Sequence, residues 1–222
     1  MYKSVILGTF FIIMMSCGEK KTFETYIYFD SAQPVKEKDL SSIPNKYVGT
    51  YVLNYSNQLM VQSKAIIRRY VEENMFTKSE LDSLTAYFQL KDDKLYDVYE
   101  KKFHKTRISH DTVFFERESL DTLFSFKPNE SLREFKSSLV LNYSYDGLYR
   151  VNWVHFGKPV TRITELGSIK DFEKIKLETD LKNDNYQMNA DSTYVILKFD
   201  QANFRKIHRL DGFEYESFYY FK

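Results

Sequence analysis

Asp146-Gly147 separates two runs of alternating apolar and polar residues, SLVLNYSY before it and LYRVNWVHF after it. An Asp-Gly pair between alternating runs is typical of a two-residue hairpin turn, because both turn residues must adopt positive φ. Such a turn places Val140 opposite Trp153 in an antiparallel ladder. Apolar side chains then fall on both faces of the hairpin, so we expect other elements to cover both faces.

The composition indicates a chain built mostly of strands. The sequence has 18 Tyr and 19 Phe but only 7 Gly and 4 Pro among its 222 residues, which excludes disorder and low complexity. Aromatic and β-branched residues favour strands. We therefore predict an α+β fold that is β-rich, with a mainly antiparallel sheet and a few short helices.

Local signals place further elements along the chain. Thr77-x-x-Glu80 is a capping box that begins one helix, and Asp200 can cap another near the C-terminal end. The segment DTVFFERESLDTLFSF (111–126) is predicted to be a second hairpin, and FEYESFYYF (213–221) is predicted to be the last strand.

A weak internal similarity indicates a duplicated strand–strand–helix unit. The paired segments are YVLNYSN (51–57) with LVLNYSY (139–145), and TKSELDSL (77–84) with RITELGSI (162–169). They predict pseudo-repeats at 47–126 and 135–222 within a single β-rich domain that covers residues 47–222. The alternative is chance similarity between strand sequences.

The first 16 residues have the organisation of an export signal. Lys3 precedes an apolar run from Val5 to Met15, which is too short to span a bilayer as a helix of about 20 residues. The run ends in Met-Met-Ser-Cys, which resembles the lipobox of bacteroidete-type bacterial lipoproteins. An ordinary cleaved signal followed by a chance cysteine is the alternative.

The lipobox resemblance implies a location for the protein. A signal peptidase would remove residues 1–16, and Cys17 would carry diacylglycerol together with further acyl chains such as palmitate. Two or more acyl chains hold a protein stably on a membrane. We therefore expect a lipoprotein anchored in the cell envelope, on the periplasmic side of a membrane or at the cell surface.

Residues 17–46 are predicted to be a tether, because the stretch is mostly polar and contains two prolines. Within it, TYIYF (25–29) is strand-like and is expected to dock on the domain. The pattern Gln33-Pro34, Ile43-Pro44 and Gly49-x-Tyr51 resembles the opening of an uncharacterised family of bacteroidete-type lipoproteins. That resemblance implies no known activity.

The charge balance argues against nucleic acid as a partner. The full chain has 32 basic and 31 acidic side chains. Lys3 is the only charged residue before Cys17, so removal of residues 1–16 leaves 31 of each. Binding to the phosphate backbone of a nucleic acid requires a clear basic excess. No phosphate loop, dinucleotide fingerprint, zinc-protease helix or serine elbow occurs, so we predict no catalytic residue, no cofactor and no metal site.

The histidines are interpreted as surface or hydrogen-bonded residues. They are His104, His110, His155 and His208. His104 and His110 are expected to share a strand face about 20 Å apart, which is too far for both to hold one metal ion.

Two kinds of candidate site remain. Tyr149 and Trp153 would form an aromatic platform for a sugar or another flat ligand, and the alternative places both rings in the core. Asp-Ser and Asp-Thr pairs resemble the short O-glycosylation signal of exported bacteroidete proteins, which makes Ser31 and Thr112 candidate glycosylation sites.

The sequence therefore predicts a lipid-anchored, non-catalytic binding or assembly module with an envelope protein or glycan as partner. The alternative is a glycosidase-like envelope hydrolase that uses two carboxyl groups across a cleft. Its candidate acids are Glu72-Glu73, Asp92-Asp93 and the pair Glu116 and Glu118. Neighbouring acids in a chain with 28% charged residues more commonly form a solvated face.

Overall fold

The hairpin around Asp146-Gly147 forms with the predicted register. Val140 lies opposite Trp153, and Tyr145 lies opposite Leu148. Both turn residues have positive φ, as a two-residue hairpin turn requires. The computed structural model describes residues 26–179, 181–189 and 194–221. Cys17, the signal peptide at 1–16 and the first part of the predicted tether lie outside the described residues.

The described chain forms sixteen strands and three α-helices, with two short 3₁₀ helices at Asn45–Tyr47 and Asn183–Asn185. The strands are β1 (Tyr26–Phe29), β2 (Gly49–Val52), β3 (Asn57–Val61), β4 (Ile66–Thr77), β5 (Phe88–Lys91), β6 (Lys94–Asp97), β7 (Lys102–Phe103), β8 (Thr106–Ser109), β9 (Thr112–Phe124), β10 (Glu130–Phe135), β11 (Ser138–Tyr145), β12 (Leu148–Phe156), β13 (Val160–Glu165), β14 (Tyr186–Met188), β15 (Tyr194–Leu197) and β16 (Tyr215–Phe221). The helices are α1 (Lys78–Ser83), α2 (Ile169–Thr179) and α3 (Gln201–Ile207). The fold is thus the predicted β-rich α+β class.

The strands form one large sheet and one small one. The large sheet has 13 strands in the order β14-β15-β1-β12-β13-β16-β2-β3-β4-β9-β8, and β10 and β11 extend it from β12. Its pairing is mainly antiparallel, whereas β1 and β15 run parallel. The small sheet has the order β5-β6-β7. Within the described ranges, no helix is long and apolar enough to cross a membrane.

The central hairpin is buried on both faces, as its sequence predicts. One face packs under α2 and α3, and Trp153 lies at its centre against Phe204 and Phe213. The opposite face carries Leu139 and Val154, which pack against strands from the other half of the sheet. Two separate apolar cores therefore meet at this hairpin.

Both predicted helix starts are confirmed. The Thr77 hydroxyl accepts the Glu80 N–H, and the Glu80 carboxylate accepts the Thr77 N–H. The Asp200 carboxylate accepts the Asn203 N–H at the start of α3. The final strand predicted at 213–221 is β16.

The predicted tether is shorter than expected, because residues 26–46 belong to the folded domain. Ile27, Phe29 and Ile43 are core residues. The buried side chain of Asn142 accepts the Gln33 N–H at 2.7 Å and donates to the Gln33 carbonyl at 2.9 Å. These two hydrogen bonds fix the segment that contains Gln33 across β11. The composition did not indicate this contact, because the two prolines of the segment are typical of a tether.

The segment 111–126 is one long strand and not a hairpin, which corrects the prediction. β9 pairs with β4 along its length, and the reversal falls at His110, which has a φ of 54° before the strand starts. The charged middle of the segment resembles a turn in sequence. It is exposed because the β4–β9 ribbon extends away from the cores there.

The duplication is not reflected in the local structure. Residues 139–145 lie inside β11, whereas 51–57 cross the end of β2 and a turn. Residues 77–84 contain α1, whereas 162–169 contain the end of β13 and a loop. The matched segments therefore differ in local structure, whereas each predicted unit contains strands followed by a helix, and the duplication remains a prediction.

We predict that Asn142→Ala lowers the free energy of unfolding by about 3 kcal/mol, because it leaves the buried N–H and carbonyl of Gln33 without partners. Asn129→Ala is the control at an exposed turn residue, with an expected change below about 0.5 kcal/mol. Urea denaturation of both variants measures the difference, and equal stability of the two would contradict the docking role of Asn142.

Candidate functional site

A row of four side chains crosses the helix-covered face of the large sheet. Cross-strand pairing sets Ser138 opposite His155, His155 opposite Arg162, and Arg162 opposite Phe218. Directly paired residues in antiparallel strands project from the same face. The register of β11, β12, β13 and β16 therefore brings a hydroxyl, an imidazole and a guanidinium together.

The C-terminal end of α3 completes a cleft over this row. Phe204 and Ile207 bury one side of the helix, and that packing carries His208 over Ser138. We call the resulting space of about 400 Å³ the histidine cleft. It is lined by Lys136, His155, Val160, Arg162, His208, Arg209, Asp211 and Phe218.

A buried serine joins the two imidazoles. Ser138 Oγ lies 3.0 Å from His155 Nδ1 and 2.7 Å from His208 Nε2. A hydroxyl has one hydrogen to donate, so it donates to one ring and accepts an N–H from the other. The two histidines consequently take opposite hydrogen-bonding roles toward Ser138, and both are held in fixed orientations.

The environment keeps both imidazoles neutral near pH 7. Burial lowers the pKa of His208 to about 4, and the neighbouring His155, Lys136, Arg162 and Arg209 shift it in the same direction. Burial, together with the charge of Arg162, also lowers the pKa of His155. The neighbouring cations create a positive potential at the two rings, and this potential disfavours protonation of the imidazoles.

The cations of the cleft differ in their partners. Arg162 pairs with Asp211 and lies 3.7 Å from the Glu216 carboxylate. Lys136 and Arg209 are exposed at the rim, and neither is in an ion pair with any acidic group of the described residues. The cleft thus presents two unpaired positive charges next to two neutral imidazoles, an arrangement suited to an anionic group.

Ser138 is 0% exposed, so its hydroxyl is not presented to a substrate. Its hydrogen bonds to both rings occupy the hydroxyl on each side. The serine therefore acts as a positioning residue for the two histidines. The polar groups that line the cleft are the two imidazoles, the cations and the Asp211 carboxylate, which pairs with Arg162.

The aromatic platform predicted at Tyr149 and Trp153 does not form. Trp153 is 0% exposed and packs in the helix-side core, which leaves no ring face for a ligand. Tyr149 is half-buried against the same core. For Trp153, the structure agrees with the alternative interpretation that the ring packs in the core.

The two candidate glycosylation sites differ in surroundings. Ser31 Oγ donates to Asp30 Oδ1 at 3.1 Å, and its residue is partly exposed. Thr112 is the first residue of β9, is half-buried, and pairs with Thr77. Glycosylation of either residue remains a prediction.

Among the acids proposed for a hydrolase, Glu116 and Glu118 line one cleft of about 250 Å³, and both are held in ion pairs there. Glu116 pairs with Lys105 at 2.7 Å, and Glu118 pairs with Arg69 at 3.1 Å. Glu72 and Glu73 are consecutive in β4 and therefore point to opposite faces. Asp92-Asp93 is the turn between β5 and β6.

His104 and His110 do not share a strand face, so that prediction is wrong. His104 lies in the loop after β7, close to Asp97 and Glu100, and His110 lies in the turn before β9. The pairing of Ser138 with His155 was available from the Asp-Gly hairpin register. The position of His208 beside Ser138 could not be predicted from the sequence, because it depends on how α3 packs.

No protein-family model, no curated protein and no solved structure matches this chain. The fold and the histidine cleft are therefore interpreted from their own chemistry.

We predict that His208→Gln flattens the pH dependence of stability between pH 4 and 6.5. The unfolded chain binds a proton at this histidine near pH 6.5, whereas the folded chain does so only near 4. The unfolded state therefore holds more protons in this window, so stability rises with pH there and the gain is complete above pH 6.5. The wild type should gain up to about 3 kcal/mol more than the variant.

Urea denaturation at pH 4.5 and 7 measures this difference. His110→Gln, at an exposed histidine, is the matched control and should keep the wild-type slope. A wild-type slope in the His208 variant would contradict a neutral, buried imidazole.

Proposed function

We propose that the protein is a lipid-anchored, non-catalytic binding module of the bacterial cell envelope, and that its histidine cleft binds an anionic group of the ligand. The observation that carries this proposal is the position of Lys136 and Arg209, which form no ion pair within the described residues, beside two neutral imidazoles oriented by buried Ser138.

The chemistry of the cleft favours a phosphate or carboxylate group. Lys136 and Arg209 supply positive charge, and a neutral imidazole supplies an N–H donor. The volume of about 400 Å³ lies within the range of small-molecule sites. Val160 and Phe218 add apolar contact beside the charged rim, so the ligand would carry a small apolar part next to its anionic group.

The membrane anchor is supported by the lipobox resemblance at Met14-Met15-Ser16-Cys17. The described domain includes Tyr26, so at most residues 18–25 would connect the lipid on Cys17 to it. Eight residues span at most about 29 Å when fully extended. The ligand would therefore be bound close to the membrane surface, as expected for an envelope module with a glycan or protein partner.

Binding is favoured over hydrolysis because Glu116 and Glu118, the proposed acids that line a cleft, form ion pairs with neighbouring cations. Those cations lower the pKa of Glu116 and of Glu118, whereas a general acid needs a raised pKa. The glycosidase-like alternative therefore has no pair of carboxyl groups suited to it among the acids that the sequence indicated.

We predict that inorganic phosphate and succinate shift the imidazole NMR signals of His155 and His208 in the full-length protein. Arg209→Gln and Lys136→Gln should each weaken this binding by about tenfold, because each removes a charge-assisted contact. Tighter binding of phosphate would indicate a phosphate site, and tighter binding of succinate would indicate a carboxylate site.

Arg205→Gln is the matched control for this experiment, because Arg205 is an exposed arginine in α3 that does not line the cleft. It should leave the affinity unchanged. Equal weakening in all three variants would indicate unspecific attraction to a basic surface and would overturn the cleft as the binding site.

We predict that Cys17→Ser abolishes incorporation of labelled fatty acid and releases the protein from the membrane fraction. The reason is that serine lacks the thiolate needed for thioether formation. Ser16→Thr, which retains the cysteine, should still be labelled. Unchanged labelling and fractionation of the Cys17 variant would disprove the anchor without affecting the cleft.

A further inference from the structure

A second cluster of polar side chains lies at the other end of the molecule, beside the three-stranded sheet. Asp97 ends β6, Glu100 lies in the following turn, and His104 lies just after β7. One ligand atom of each lies within 4.8 Å of the others. Asp97 and His104 are 4% and 5% exposed, and Glu100 is half-buried.

The imidazole of His104 has one nitrogen with a partner and one without. Nδ1 lies 3.0 Å from the backbone carbonyl of Glu116, which accepts hydrogen bonds only, so Nδ1 carries the hydrogen. In the neutral ring, Nε2 then bears a lone pair. Nε2 is buried and has no hydrogen-bond partner within the described ranges.

This free nitrogen faces a carboxylate. His104 Nε2 lies 3.5 Å from Asp97 Oδ2, while Asp97 Oδ1 accepts the Glu100 N–H at 2.7 Å. A lone pair that faces an anionic oxygen in a buried place is unfavourable unless a positive centre lies between them. The arrangement requires either a proton on Nε2 or a metal cation.

We propose that Asp97, Glu100 and His104 bind a divalent transition-metal ion, with Zn²⁺ as the representative of the class. The ligand atoms would be Asp97 Oδ2, one Glu100 carboxylate oxygen and His104 Nε2. An imidazole with two carboxylates suits Zn²⁺ and its neighbours and disfavours Ca²⁺ and Mg²⁺, which prefer oxygen ligands alone. Water would complete the coordination.

The backbone carbonyl of Glu116 acts as the outer partner of the site. Metal-binding histidines commonly donate their second ring N–H to a carbonyl, which fixes the tautomer and the ring orientation. Here that contact links the loop after β7 to β9. The metal would therefore bind beside the hydrogen bond that ties the three-stranded sheet to the long β4–β9 ribbon.

Glu100 already has two cationic neighbours. Its carboxylate lies 2.6 Å from Lys102 and 3.2 Å from Arg117, whose side chains are 46% and 50% exposed. Ion pairs between exposed groups contribute about 0–1 kcal/mol each. One carboxylate oxygen can therefore exchange a flexible cation for a metal ion at small cost, and the second oxygen keeps its partner.

The test is Zn²⁺ binding to the full-length protein after removal of metals with a chelator, measured by equilibrium dialysis with metal analysis. One Zn²⁺ should bind at this site, and Glu100→Gln and His104→Gln should each weaken it by about tenfold or more. Imidazole NMR should show Zn²⁺ shifting the Nε2 signal of His104 while Nδ1 keeps its hydrogen.

Matched variants separate this site from other ligands. Glu118→Gln changes an ion-paired acid on β9, His110→Gln removes an exposed histidine, and His155→Gln removes the accessible imidazole of the histidine cleft. All three should retain the Zn²⁺ site. Because His104 is buried, circular dichroism verifies folding of its variant, and the half-exposed Glu100 provides an independent variant if that one unfolds.

Loss of Zn²⁺ binding in His155→Gln, or unchanged binding in both Glu100→Gln and His104→Gln, would overturn the proposal. A doubly protonated His104 ring that persists at saturating Zn²⁺ would also overturn it, because the positive centre would then be a proton. Tighter binding of Ca²⁺ than of Zn²⁺ would contradict the proposed metal class.

Discussion

The burial of the β11–β12 hairpin on both faces is the constraint on which the rest of the structure depends. Trp153 and Val140 project into the core under the helices, and Leu139 and Val154 project into the core on the opposite side. A slip of one residue would exchange these two sets and would move Ser138 and His155 away from α3. The same register therefore determines both cores and the histidine cleft.

The N-terminal segment is the second element that completes this hairpin. Asn142 pairs with the backbone of Gln33, and Arg133 donates to the carbonyls of Ala32 and Pro34. These contacts satisfy a backbone segment that crosses the sheet without forming a ladder of its own. A stretch that is polar in sequence is therefore an integral part of the fold.

Features governed by neighbouring residues could be predicted from the sequence. The Asp-Gly turn gave the hairpin register, and the capping residues Thr77 and Asp200 gave two helix starts. The long strand β9 was missed because a solvent-exposed ribbon tolerates charged residues that resemble a turn. Whether a ribbon is exposed to solvent depends on the whole fold, so the periodicity of the local sequence does not reveal it.

The candidate sites likewise combine features set by neighbouring residues with features set by the packing of the whole fold. Ser138 and His155 follow from the hairpin register, whereas His208 reaches them only through the packing of α3. Asp97 and His104 meet because the turn between β6 and β7, where Lys101 has a φ of 53°, reverses the chain between them. Positive φ at a lysine cannot be anticipated from sequence, so the histidine appeared to be an isolated strand residue.

The shared hydroxyl of Ser138 links the proton positions of two rings that lie 6.1 Å apart. If His155 receives the serine hydrogen at Nδ1, its own hydrogen is on Nε2, and His208 must hold its hydrogen on Nε2. The reverse choice moves both hydrogens to the Nδ1 atoms. An occupant that accepts a hydrogen bond from one ring would thereby select the tautomer of the other, so the two histidines report occupancy as one unit.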